Sequence, residues 1–140
     1  MIVFRPVSAA DYGAGLKAFV DSDYERAFLE WEPLAQAGHV RAQKRIGDLY
    51  FNGLGKSTNL DLARKFYLSA AELDDSEAQH NLSILLNTDD IGGDRDAAAY
   101  WLERAAKSGL DLSQSAFGLF LLDKAKVSKS KAQFEKAEFW

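Results

Sequence analysis

The sequence predicts an all-α protein, a tandem array of about four antiparallel helix pairs, and three observations carry that expectation. Alanine and leucine dominate a chain of 140 residues that holds only two prolines, Pro6 and Pro33. Related segments recur at offsets of thirty-six and thirty-five residues. Within each recurrence, as at Ala42, Ile46, Leu49 and Tyr50, apolar residues return at three- and four-residue intervals, the spacing of one helix face.

The recurrence pairs AGHVRAQKRIGDLY (37–50) with LDDSEAQHNLSILL (73–86) and SGLDLSQSAFGLFL (108–121). Ala42, Ala78 and Ser113 coincide, followed by Gln43, Gln79 and Gln114, then Ile46, Leu82 and Phe117, then the small residues Gly47, Ser83 and Gly118. LARKFYLSAA (62–71) aligns with AAYWLERAA (98–106), so that Ala63 meets Ala98, Phe66 meets Trp101, and two alanine pairs coincide. AFLEWEPLA (27–35) enters the same frame through Ala27, Trp31 and Ala35. Small residues at Gly47, Ala63 and Ala71 admit close helix approach, and Trp31, Phe66 and Trp101 are expected to fill the space between pairs. A single pair leaves one apolar face bare, so stacking must supply the core.

Taken in order, the helices are expected near 8–20 with 23–36, 39–52 with 59–73, 75–87 with 94–107, and 110–123 with 128–139. The whole chain, 1–140, is then one domain of units at about 8–36, 39–73, 75–107 and 110–140. Ser8 followed by Asp11 supplies a capping box for the first helix. Asp74 stands where the neighbouring units have Gly38 and Gly109. The chain ends at Trp140 inside the last expected helix, where Ala137 and Trp140 repeat the spacing of Ala98 and Trp101. That ending reads either as a longer array cut short or as a degenerate capping helix.

At AQKRIGDLYFNGLG and the following LARKFYLSAA, the chain resembles the SEL-like repeat (SLR) family, a subgroup of tetratricopeptide-type (TPR-like) helical repeats. The resemblance covers about residues 8–140 and implies a right-handed α-α superhelix whose first helices line a concave binding face. It also implies which positions look inward: six and three before the small residue of each unit, and one, four and five after it. Those positions are Tyr12, Leu16 and Phe19 in the first unit and Arg41, Lys44, Asp48, Phe51 and Asn52 in the second. The third contributes Glu77, His80, Ile84 and Asn87, and the fourth Ser115, Leu119 and Leu122. Such a surface anchors side chains while Arg41, Asn52 and Asn87 hydrogen-bond a peptide backbone or carboxylate. Charge reversal at Arg41 and Lys44 is expected to weaken a partner without lowering stability.

The implied function is a non-enzymatic adaptor or scaffold of bacterial type with a protein or peptide partner. An immunity-type inhibitor that caps one enzyme is the alternative, ahead of a metal-dependent regulator or enzyme. A formal net charge of -4 argues against general affinity for nucleic acid or anionic membranes. The lysine-rich DKAKVSKSKAQFEK at 123–136 reads as a solvated connector and helix face, and FEKAEFW offers aromatics for self-association. No apolar run is long enough to cross a bilayer, and MIVFRPV is too short for a signal peptide. The expected compartment is therefore the cytosol, or an exported one if a signal has been removed. The absence of cysteine excludes disulfides, thiolate metal sites and cysteine nucleophiles.

Three motifs suggest chemistry and fail on spacing, so no catalytic residue, cofactor or metal site is assigned. NTDDIGGDRD (87–96) puts Asn87, Asp89 and Gly92 at the first, third and sixth positions of a calcium loop. Ile91 and Ala98 then occupy the fifth and twelfth, where ligands are required. The stretch reads instead as an interhelical loop in which Gly92 and Gly93 turn and Asp94 or Asp96 caps the next helix, with Asp89 and Asp90 left unassigned. NGLGKST (52–58) lacks the upstream glycine and strand of a P-loop, and Gly53 and Gly55 are expected to serve the turn. His39 and His80 lack the spacing of a helical zinc pair. His39 falls at a helix start and His80 at a position expected to lie outside the core.

Overall fold

A computed structural model of the chain describes residues 6–88 and 93–138. After a 3-10 turn at Val7–Ala9, the chain forms α1 (Tyr12–Val20), α2 (Tyr24–Gln36), α3 (Val40–Asn52), α4 (Leu60–Glu72), α5 (Ser76–Leu86), α6 (Arg95–Lys107) and α7 (Asp111–Glu138). No strand occurs among the described residues. The principal contacts join each helix to its neighbours in sequence, the arrangement of an α-α solenoid.

Local chemistry sets the helix ends. The side chains of Asp11, Asp23, Asn59, Asp75 and Asp94 accept backbone N–H groups that the first turns of α1, α2, α4, α5 and α6 leave without intrahelical partners. His39 does the same for α3, its Nδ1 accepting from Ala42 N at 3.2 Å. The first helix begins at Tyr12, with Asp11 as its cap, so Ser8 lies in the preceding 3-10 turn and not in a capping box of α1. Asp94 caps α6 as one of the two expected aspartates, whereas Asp89, Asp90, Ile91 and Gly92 fall outside the described residues. Gly53 and Gly55 take φ of 65° and 68° in the α3–α4 turn, as that turn required.

The core follows the repeat. Ala27, Ala42, Ala63, Ala71 and Ala78 are fully buried with Trp31, Ile46, Leu49, Tyr67, Leu82 and Leu85. They form one cluster around α2 and α3 and a second around α4 and α5, with Tyr50 packed against both. Of Trp31, Phe66 and Trp101, the rings expected to fill the space between pairs, Trp31 alone is fully buried. Tyr67 is the ring that fills the core, at 1% exposure, while Phe66 and Trp101 are only partly buried. Tyr67 stands four residues after Ala63, as Trp31 stands four after Ala27, and that interval returns to the same helix face.

The recurrent glutamine has a structural task that spacing alone did not reveal. Gln43, Gln79 and Gln114 each donate from Nε2 to a carbonyl near the end of the preceding helix, at Ala35, Ala71 and Ala106, over 3.1–3.2 Å. Each carbonyl also accepts a backbone N–H from the turn after its helix, at Gly38, Asp74 and Gly109, so the glutamine supplies a second donor that ties one helix end to the next helix.

The fourth pair differs from expectation. One 28-residue helix, α7, replaces the two helices expected at 110–123 and 128–139. The expected break falls in DKAKVSK, which contains neither glycine nor proline and little that opposes helix propagation. At ~1.5 Å per residue α7 is about 42 Å long. Ser113, Ala116 and Phe117 are covered, and every residue from Gly118 to Ala137 is exposed.

Candidate functional site

The inner helices α1, α3, α5 and α7 meet laterally through polar pairs thirty-three residues apart. Arg45 Nε donates to the Tyr12 hydroxyl at 3.5 Å, Asn81 Nδ2 to Asp48 Oδ1 at 3.3 Å, and His80 Nδ1 lies 2.8 Å from Ser113 Oγ. Asp48 is the hub. Its Oδ1 also accepts from the Tyr67 hydroxyl at 2.8 Å, and its Oδ2 lies 3.1 Å from Lys44 Nζ. Lys44 in turn pairs with Glu77 at 2.7 Å, tying α3 to α5.

The electrostatics follow from these contacts. Burial alone would lower the Lys44 ammonium, but the Asp48 and Glu77 carboxylates outweigh it and raise it above the ordinary lysine value. The hydrogen bond from Lys44, reinforced by its charge, holds Glu77 below the ordinary glutamate value. Burial, then the nearby Asp48 carboxylate, raises the Tyr67 phenol, so it stays protonated and donates. Burial lowers the His80 imidazole and keeps it neutral.

The inward-facing set thus divides. Tyr12, Leu16 and Phe19 are partly buried against Trp31 and its neighbours. Lys44 and Asp48 are spent on each other and on Glu77, with side chains only 13% and 16% exposed, so Lys44 is no free cation. Asn52 is exposed, and its Nδ2 is bonded to Asp48 O in its own helix at 2.9 Å. His80, expected outside the core, is 7% exposed because Ser113 of the next inner helix covers it. Arg41 is exposed and engages no ion pair among the described residues.

Two concavities gather the rest. Asp48, Phe51, Asn52 and Ile84 join Tyr67 and Asn81 around a small recess of about 130 Å³. A larger groove of about 550 Å³ runs between α5, α6 and α7. α5 lines it with His80, Ser83, Ile84 and Asn87, α6 with Arg95, Ala98, Ala99 and Leu102, and α7 with Ala116, Phe120 and Asp123. Ser115, Leu119 and Leu122 were expected on this face, and the groove receives the residues one position later in each case, of which Ala116 occupies the register position of Arg45 and Asn81, the one that faces the preceding inner helix. Ser115, Leu119 and Leu122 are solvent-exposed.

Sequence reasoning missed Arg45, Tyr67, Asn81, Arg95, Phe120 and Asp123. The thirty-three-residue interval between Arg45 and Tyr12 and between Asn81 and Asp48 was a readable signal, one turn short of the repeat length. Arg95 comes from an outer helix, which a rule confined to inner helices could not select. Among the described residues no group of three or more His, Asp or Glu could hold a metal ion.

Compared with known proteins, residues 40–75 and 76–110 each match the family model of the Sel1 repeat. Among solved structures, the crystal structure of a Sel1 repeat protein from Oxalobacter formigenes is similar to the chain, with a TM-score of 0.74 and 25% sequence identity. The match covers 81% of this chain and 47% of that one, so the chain spans about half its length. No curated protein sequence matches.

Proposed function

We propose a function from one premise: the chain belongs to the Sel1 repeat family. Sel1 repeats are protein-interaction modules of a non-enzymatic type. In our reading this chain is an adaptor or scaffold without catalysis of its own, and it holds an extended segment of a protein partner on its inner face.

The groove between α5, α6 and α7 carries this reading. Ile84, Ala98, Ala99, Leu102 and Phe120 give it apolar walls, and Asn87, Arg95 and Asp123 give it polar groups. Among the described residues neither Arg95 nor Asp123 is in an ion pair, unlike Lys44, Asp48 and Arg104. A guanidinium and a carboxylate in one groove favour one direction of an extended ligand, with its acidic part toward Arg95 and its basic part toward Asp123.

The test is affinity capture with the full chain, followed by titration of peptides from the captured partner. Arg95→Glu and Phe120→Ser should each weaken binding at least about tenfold, a loss of ~1.4 kcal/mol, with thermal stability unchanged. Lys65→Glu, exposed on α4 and outside the groove, should bind as the parent does. Unchanged affinity in both groove variants would remove the groove from the reading. A folded enzyme as the only ligand, silenced on binding, would favour the inhibitor alternative.

A further inference from the structure

The groove between α5, α6 and α7 is the repeat counterpart of the small recess beside Asp48. Shifted by the recurrence offsets of thirty-six and thirty-five residues, Asp48 falls on Ile84, Phe51 on Asn87, Tyr67 on Leu102 and Asn81 on Ala116, and each set lines its own cavity. The recess measures about 130 Å³ and the groove about 550 Å³.

Two changes within the repeat enlarge it. In the first unit the Trp31 ring lies over Gly15, with the Arg45 guanidinium 5.9 Å from its centroid. In the second the Tyr67 ring lies over Gly47, and its hydroxyl shares one Asp48 oxygen with Asn81. The third unit keeps a small residue, Ser83, but has Leu102 at the position of the ring and Ala116 at the position of Arg45 and Asn81. Trp31 and Tyr67 are fully buried, whereas Leu102 is only partly so. Phe120 is 37% exposed, although its counterparts Leu49 and Leu85 are fully buried.

We propose that the groove is a specificity pocket for one aromatic side chain of the protein partner, a ring supplied in trans at the place where the chain supplies its own in the first two units. This inference rests on the groove reading above and names the chemistry of the anchor. Ile84, Ala98 and Leu102 give the ring aliphatic walls, and Phe120 gives it an aromatic contact. An aromatic side chain brings about 150–250 Å² to such a site, and aromatic anchors in desolvated pockets dominate many interfaces. An aliphatic side chain fills less of the space and forgoes the contact with Phe120. Arg95 and Asp123 are exposed at the same groove, where they complement an acidic and a basic residue flanking the anchor. Leu102 is therefore the residue that sets the preference.

The full chain is titrated with N-acetyltryptophanamide, N-acetyltyrosinamide and N-acetylleucinamide, and binding is read from the amide NMR shifts of Ala98, Ala99 and Leu102. The two aromatic probes should bind about tenfold tighter than the leucine probe. Leu102→Tyr restores the ring of the preceding unit, and Ala116→Leu closes the groove from α7. Each should weaken both the aromatic probes and the captured partner about tenfold, with helical signal and melting temperature kept. Equal affinity for the three probes, or aromatic binding that survives both closing variants, would overturn the pocket; the groove reading would still stand if Arg95→Glu and Phe120→Ser released the partner. A partner retained by those two variants, with the aromatic preference of the probes intact, would instead remove the partner from the groove and the anchor with it. A dimer of the full chain that Leu102→Tyr dissolves would make a second copy the source of the ring and overturn the separate partner.

Discussion

The Trp31 indole lies flat over Gly15, so close that a β-carbon at position 15 would fall among the ring atoms Nε1, Cδ1 and Cε2. Trp31 Nε1 donates to Tyr12 O at 3.1 Å, which fixes the ring over α1. Gly47 repeats the relationship in the next unit, where an added β-carbon would come within 2.6 Å of Cδ1 and Cε1 of Tyr67. Overpacking of this kind costs about 1–3 kcal/mol, against a helix-propensity gain of up to ~1 kcal/mol for glycine to alanine. Gly15→Ala and Gly47→Ala should therefore each destabilise the fold by about 1–2 kcal/mol in chemical denaturation. A neutral result at either site would mean that the two helices can part without cost.

Asp48 connects three elements, since it accepts from Tyr67 and Asn81 and pairs with Lys44. Asp48→Ala leaves a half-buried ammonium and a buried hydroxyl without their shared partner, and removing one member of such a pair costs about 3 kcal/mol. Tyr67→Phe deletes one hydrogen bond only and should cost about 1 kcal/mol. Equal losses for the two variants in urea titrations would show that the phenol, and not the ion pair, dominates the hub.

How far the chain could be read ahead of its structure depended on how local each signal was. Helix starts were legible where one residue decides them, as at Asp94, and so was the turn at Gly53 and Gly55. The small position at Gly47 was legible because the recurrence exposed it, but its partner ring was placed one residue early, at Phe66 in place of Tyr67. A one-residue slip on a helix is a rotation of ~100°, enough to exchange core for surface. The continuous α7 was missed because the repeat register demanded a turn where the residues between Leu122 and Ser128 give no reason for one. Of the candidate face, Arg41, Ile84 and Asn87 remain accessible, and Lys44, Asp48 and His80 were lost to lateral contacts between inner helices that a single-helix rule does not include.

Asp74 sits at φ 64°, the left-handed conformation that Gly38 and Gly109 take at the equivalent helix ends with φ of 91° and 89°. Its Oδ1 accepts from Arg104 Nη2 at 2.6 Å. That pair is exposed and adds little, so the backbone term should decide the outcome. Asp74→Gly should be neutral or stabilising by about 0.5 kcal/mol, because glycine adopts this conformation freely. Asp74→Ala keeps the strain without the side-chain contact and should lose about 1–2 kcal/mol. Thermal melts of the two variants should diverge in opposite directions, and a parallel loss would assign the position to the Arg104 contact instead.

His80 gives the fold a pH dependence whose sign can be worked out. Burial lowers its folded value from the ordinary 6.5, so the native state keeps a neutral imidazole beside Ser113 while the unfolded chain takes up a proton. Proton uptake by the unfolded state alone draws the equilibrium toward unfolding. Stability should be flat above pH 6.5 and fall as pH drops below it toward the folded value, with a slope approaching ~1.4 kcal/mol per pH unit. Glu77 acts in a lower window, since its folded value lies below the ordinary 4.5 and its contribution is lost only as pH falls through that depressed value. His80→Gln preserves a hydrogen-bonding group toward Ser113 and does not titrate. Denaturation of this variant between about pH 8 and about pH 3, which spans the His and carboxylate ranges, should show the slope near pH 6 removed and the acid-range slope retained. If the slope near pH 6 survived in His80→Gln, the buried imidazole would not be its source.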